Sequence, residues 1–173
     1  YEFTPSEDGV YTLRAQGRDL ALNWNRADDI EVTYDSTRPT GKILAPTDAE
    51  TLNGMVTVSG WVDDNLSGID RVKVRLRSHP DHSIRTDWVM ASLDSDNNYS
   101  VAIDSTTLPD GDYEVAVVAY DLAGNNKWLW RRPVVTIDNT APTTTVSFQA
   151  DLHENKDLLH NDGWRGFGWY ENY

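Results

Sequence analysis

The side chains best suited to chemistry in this sequence are Asp35, Asp63, Asp64, Asn65, Asp121 and Asn125, carried by the short stretches "YDSTRP", "VDDNLSG" and "YDLAGNN". Carboxylates and amides in turns are the ligands that suit calcium, which gathers about six to eight oxygens. Calcium is therefore the one cofactor the residues suggest. The same residue types also make turns on their own, through side chain to backbone hydrogen bonds and tolerance of left-handed backbone. Composition does not separate the two roles.

Other constellations are weaker. "HPDH" (79–82) and "HENKDLLH" (153–160) mix imidazole with carboxylate, yet neither has the spacing of a zinc helix or finger. Neighbouring carboxylates such as Asp94 and Asp96 are what an acidic loop contains by default, and no Ser, His and Asp set carries a supporting motif. No catalytic residue is assigned, and the expectation is a non-enzymatic protein. The seven tryptophans offer a binding chemistry instead. Trp128 and Trp130 stand two apart and share a strand face, while Trp164 and Trp169 belong to an aromatic tail. Such rings can stack on sugars, or cover a sheet face or a domain contact.

The bulk numbers narrow the partners. The chain has 28 Asp and Glu against 15 Lys and Arg, a formal net charge of -13. That balance repels nucleic acid and anionic lipid surfaces. With no cysteine, disulfide staples and thiolate metal sites are excluded. No run of about 18 apolar residues exists to form a membrane-spanning helix.

The elements that must position these residues announce themselves through a repeat. "SEDGVYTLRAQGRDLALN" lies over "LPDGDYEVAVVAYDLAGN" without a gap, placing Tyr11 over Tyr113, Asp19 over Asp121 and Asn23 over Asn125. After one inserted residue, "VTYDSTRPT" lies over "VTIDNTAPT", Asp35 over Asp138. A period of about a hundred residues is that of a sandwich domain rather than a helical solenoid. Strands are expected over 55–62, 70–77, 86–93, 98–103, 112–120 and 127–137, all short, β-branched or aromatic and bounded by Gly, Pro, Asn or Asp. No helix of ten residues is expected. The punctuation divides the chain into 1–37, the closing strands of a first repeat; 38–140, one complete domain; and 141–173, the opening of a third. The first residues read as the middle of a domain, as in a segment of a longer row.

"DDNLSGIDRVKV" (63–74), "LPDGDYEVAVVAYDLAGN" (108–125) and "DNTAPTTTV" (138–146) resemble the bacterial immunoglobulin-like, Big-type repeats of large secreted and surface proteins. The resemblance reaches to about residue 148. It implies an all-β, immunoglobulin-like β-sandwich, one complete domain flanked by partial repeats. It also implies an extracellular or cell-surface setting in a prokaryote. In such a sandwich Tyr11 and Tyr113 take the structural corner position, and Leu13 and Val115 stand where antibody domains have a cysteine. The topology would bring the Asp35 linker and the loops 62–68 and 121–126 to one pole. The expected function is a structural or spacer module of an adhesin, stalk or surface lattice. Its short Asp-x-Thr-x-Pro linkers are stiffened by proline, and calcium at the joint would stiffen them further. The alternative is a carbohydrate-binding accessory module of a secreted hydrolase. Expected partners are neighbouring repeats of the same protein, with self-assembly or a surface glycan or protein as further options, and neither nucleic acid nor membrane insertion.

Overall fold

In the computed structural model, residues 4–144 are described, and they contain no helix. The chain divides into two compact units, Tyr1–Ala141 and Pro142–Tyr173. Almost all of the second lies outside the described residues, and with it Trp164, Trp169 and the expected third repeat.

The first unit opens with four short strands, β1 (Gly9–Leu13), β2 (Gln16–Arg18), β3 (Trp24–Arg26) and β4 (Ile30–Tyr34). β1 pairs antiparallel with β4, and β2 with β3. Val10, Leu13, Trp24 and Ile30 are exposed, because among the described residues no second sheet covers this ribbon.

The remaining strands build a two-sheet sandwich. They are β5 (Thr40–Ala45), β6 (Thr51–Leu52), β7 (Met55–Asp63), β8 (Ile69–Ser78), β9 (Val89–Met90), β10 (Ser92–Leu93), β11 (Asn98–Asp104), β12 (Gly111–Asp121), β13 (Asn126–Trp128) and β14 (Val134–Ile137). One sheet runs β10-β11-β7-β5; the other runs β6-β14-β12-β8-β9, with β13 also paired to β12. Period-2 alternation explains the packing. β7 buries Val56, Val58 and Val62, and β8 buries Val72, Val74 and Leu76, while the residues between them face outward. β12, buried almost throughout, adds Tyr113, Val115, Val117 and Ala119 to the core.

Two expected strands are broken, each for a local reason. The stretch 86–93 changes sheets: Val89 pairs with Val74 of β8, whereas Leu93 pairs with Tyr99 of β11. The stretch 127–137 is interrupted between β13 and β14, where Arg131 has φ 58° and Pro133 has no N–H to offer a ladder. β5 and β6 were not foreseen from the sequence.

Both corner tyrosines reach back four residues. Tyr113 donates its hydroxyl to the Pro109 carbonyl at 2.9 Å, and Tyr11 donates to the Glu7 carbonyl at 2.7 Å. Tyr113 is buried. Tyr113→Phe should therefore leave an unsatisfied carbonyl and cost about 1 kcal/mol, read by denaturant unfolding as a lower midpoint with unchanged slope.

Candidate metal centre

Three of the sequence-selected carboxylates meet at one pole of the sandwich. Asp35 immediately follows β4, Asp64 follows β7, and Asp121 closes β12; each offers an oxygen, and these oxygens lie within 4.8 Å of one another. Asp35 and Asp121 are buried, at 7% and 1% exposure, and Asp64 is half-buried.

Local turns set the direction of each carboxylate. Asp121 Oδ1 accepts the Asn125 N–H at 2.8 Å, and the turn is completed by Gly124, whose φ of 94° suits a residue without Cβ. Asp64 Oδ2 accepts N–H groups from Leu66 at 3.2 Å and Gly68 at 2.9 Å, and the Ser67 hydroxyl at 3.3 Å. In both residues the second oxygen is left over: Asp64 Oδ1 and Asp121 Oδ2 are buried with no hydrogen-bond partner. Asp35 joins the linker to the sandwich, accepting the Thr37 N–H at 2.9 Å and the Ser67 N–H at 3.1 Å. Hydrogen bonding from Ser67, then from Thr37, outweighs burial and the nearby Asp8 charge, and holds Asp35 below the ordinary carboxylate range.

The arrangement is costly on its own. Ionised carboxylates at this separation repel by roughly 3 kcal/mol per pair at an effective dielectric near 20. A buried polar oxygen without a donor adds a desolvation cost of about 1–3 kcal/mol. A divalent cation removes both costs at once, and an all-oxygen donor set with no thiolate or imidazole is the chemistry of a hard ion such as calcium.

The other candidates fall in different places. Asp63 and Asn65 are exposed, and Asp63 stands outside this group of carboxylates. The Asn125 side chain acts as a donor: its Nδ2 reaches the carbonyls of Asp35 at 3.0 Å and Thr37 at 3.2 Å, tying the linker to the loop after β12. Sequence reasoning missed two participants, Ser67 and Asp8. Asp8 accepts the Ser36 N–H and hydroxyl, each at 2.7 Å, and the Thr37 hydroxyl, so the linker is also latched from its own repeat. Asp110 repeats the latch on Asn139 and Thr140. The signal was present in the repeat, where Asp8 lies over Asp110.

The earlier copy of the loop is a built-in comparison. Asp19 accepts the Asn23 N–H at 2.8 Å, as Asp121 accepts that of Asn125, but its other oxygen takes the Asn23 amide at 2.9 Å. The copy is therefore self-satisfied, with Leu22 at φ 71° holding the turn. At Asp121 the Asn125 amide has turned to the linker, and the second carboxylate oxygen is left without a partner.

A second cluster joins His79, His82 and Glu114. Here Glu114 is already engaged: Arg77 and Arg132 donate to its Oε1 at 2.8 and 3.0 Å, and His82 Nε2 lies 3.2 Å from Oε2. Burial raises the Glu114 pKa, but the two arginines outweigh it and leave it lowered. Two fixed guanidinium charges oppose a metal cation at that position. Of the tryptophans chosen from the sequence, Trp128 is 36% exposed and Trp130 is 75% exposed.

Comparison with known proteins adds the family. No curated protein matches the chain. Among solved structures it is similar to the endo-β-1,4-mannanase from Thermotoga petrophila, at 17% identity over 61% of this chain and 21% of that one, TM-score 0.46. It is similar to the fibronectin(III)-like modules of Clostridium thermocellum CbhA, at 18% identity over 79% and 65%, TM-score 0.45. A tetra-tandem repeat in the extending region of a large adhesion protein gives 24% identity over 78% and 33%, TM-score 0.47. The chain thus spans about a fifth of the mannanase and less than two thirds of either other structure. Residues 39–117, which hold most of the sandwich, match the family described as Bacterial Ig domain.

Proposed function

We propose that this chain is a non-catalytic spacer segment of an extracellular or surface protein, in which a divalent cation, calcium by its chemistry, locks one repeat to the next. The observation that carries the reading is the meeting of Asp35 of the linker with Asp64 and Asp121, each of which also keeps a buried, donorless oxygen, Asp64 Oδ1 and Asp121 Oδ2. Asp35 is the only one of the three that precedes the sandwich in the chain. An ion shared with Asp64 and Asp121 therefore resists bending at the point where the linker enters. The mechanism is mechanical: Pro39 restricts the backbone, the Asp8 latch fixes one side of the linker, and the ion with Asn125 fixes the other.

The absence of native cysteine allows a direct test of stiffness. Spin labels placed at cysteines introduced for exposed Arg18 and Thr106 report the distance between the first ribbon and the sandwich. Calcium should narrow the distribution and a chelator should broaden it, with Asp121→Asn broad in both. Distributions that ignore calcium would remove the mechanical reading.

A further inference from the structure

The outer face of the larger sheet carries a charge opposite to that of the chain. Because β8 turns Val72, Val74 and Leu76 into the core, alternation places Arg71, Lys73, Arg75 and Arg77 together on the other face. Their neighbours on β12 are Tyr120, Val118, Ala116 and Glu114. Ala116 and Val118 are small and fully buried, so the longer side chains around them close over the middle of the sheet.

That cover is an alternation of cations and rings. Arg75 lies over Trp88 at 4.3 Å, Arg71 over Tyr120 at 4.4 Å, and Arg132 over Trp128 at 5.1 Å, while Trp88 meets Trp128 edge to face at 5.5 Å. Lys127 approaches Trp130 at 5.8 Å, and the backbone of Arg85 pairs with that of Arg77 in an isolated antiparallel bridge, which sets the two residues side by side. Glu114 pairs with Arg77 and Arg132, and Asp70 pairs with Arg71. Lys73, Arg75, Arg85 and Lys127 have no carboxylate partner among the described residues.

Packing alone does not account for this excess. Arg75 Nε and Arg77 Nε are buried without an acceptor. Burial, then the charges of Arg85 and Arg77, lower the Arg75 pKa, which marks a cluster short of counter-charge. In a chain of net charge -13, carboxylates to relieve it were abundant. Beside the cluster, Trp130 stands 75% exposed, with Lys127 approaching its ring.

Unmatched guanidinium groups next to indole plates fit a ligand with both anionic groups and apolar ring faces. We infer that this face binds an acidic polysaccharide, a polymer of uronate or sulfated sugars. Trp128 and Trp130 stack on the rings, and Arg75, Arg85 and Lys127 take the anionic groups. Guanidinium recognises a carboxylate or sulfate through paired hydrogen bonds. A nucleic acid also combines charge with rings, but its dense phosphates meet the strongest opposition from the acidic surroundings. An acidic patch on a second copy would satisfy the cations without using the exposed indole. This inference does not rest on the metal centre.

The test is calorimetric titration of polygalacturonate into the full chain, with chelator present so that calcium plays no part. Binding is expected at low salt, weakening as salt screens it, with none to neutral dextran. Trp130→Ala should weaken it by about tenfold, the scale of one lost stacking contact, and Arg85→Ala with Lys127→Ala should do the same while reducing the salt dependence. All three positions reach solvent, and an unchanged melting temperature verifies folding of each variant. The inference is overturned by no binding at low salt, by binding that Trp130→Ala leaves unchanged, by equal binding to single-stranded DNA and polyglutamate, or by sedimentation showing the face sealed in a dimer that Arg85→Ala dissociates.

Discussion

We expect saturating calcium to raise the melting temperature of the chain by about 10 °C or more, and Asp121→Asn to remove the whole of that gain. A ligand that binds only the folded state stabilises it by about 2.7 kcal/mol at a hundredfold excess over its dissociation constant, and each kcal/mol moves the midpoint of a small domain by about 4–8 °C. The substitution is informative because its sign reverses with the metal. Without calcium, the introduced asparagine keeps the Oδ1 acceptor for the Asn125 N–H and presents an amide in place of the buried, donorless Oδ2 of Asp121. It therefore relieves repulsion and can donate to Asp64 Oδ1, so the metal-free variant should melt at or above the parent. With calcium it should melt well below. Thermal scans with calcium and with chelator read both arms, and a variant less stable in both would point to a purely structural aspartate.

The second large effect is expected at Gly60→Ala, about 3 kcal/mol of destabilisation, or a fall of roughly 15 °C in melting temperature. Gly60 is buried on β7, where the strand passes beneath Tyr99 of β11 and beside β5. A Cβ there would meet the Lys42 carbonyl and stand 2.5 Å from the Tyr99 hydroxyl and 2.7 Å from its ring carbon. The carbonyl is backbone in a paired strand and cannot turn aside. The Tyr99 ring is 1% exposed, and its hydroxyl is placed to donate to that same carbonyl at 3.3 Å. Denaturant unfolding of the variant should show a much lower midpoint; a change within about 0.5 kcal/mol, as at an ordinary surface position, would mean that β5, β7 and β11 yield around Gly60 more easily than their packing implies.

Much of the fold was legible because the sequence contains its own comparison. Gly9 pairs with Tyr34 and Gly111 with Ile137, and Gln16 pairs with Arg26 as Val118 pairs with Trp128. The repeat seen in residue types is therefore a repeat of strand register. The alternating runs of β7, β8 and β11 were equally plain, since period 2 is what a one-sided strand imposes. The short pieces were harder. β6 is two residues long and pairs in parallel with β14, a contact across the chain that local pattern does not encode. The change of sheet at Ala91 depends on which partner each half finds, and not on propensity.

The candidate site divides in the same way. Topology brought Asp35, Asp64 and Asp121 together from positions far apart in the chain, as an immunoglobulin-like pole requires. Adjacent acidic residues were not resolved by type: Asp63 and Asp64 read alike, yet strand alternation at the end of β7 sends Asp63 outward, while Asp64 turns back to accept the Leu66 and Gly68 N–H groups. Asn125 was chosen as an oxygen ligand, and its type did not reveal the further part its Nδ2 takes in donating to the linker. The cationic face was not foreseen: "RVKVRLR" and "KWLWRR" read as strands, and only the sheet shows that these two segments share a surface.

If Asp35, Asp64 and Asp121 hold one divalent cation between the linker and the sandwich, each of them is needed for the same bound ion. Calorimetric titration of calcium into the full chain, repeated on Asp64→Asn and on Asp121→Asn, reads this without reference to stability. Each substitution is expected to remove one bound ion relative to the parent chain. Calcium binding of the same stoichiometry and affinity in all three proteins, or none in the parent, would show that the three carboxylates share no ion.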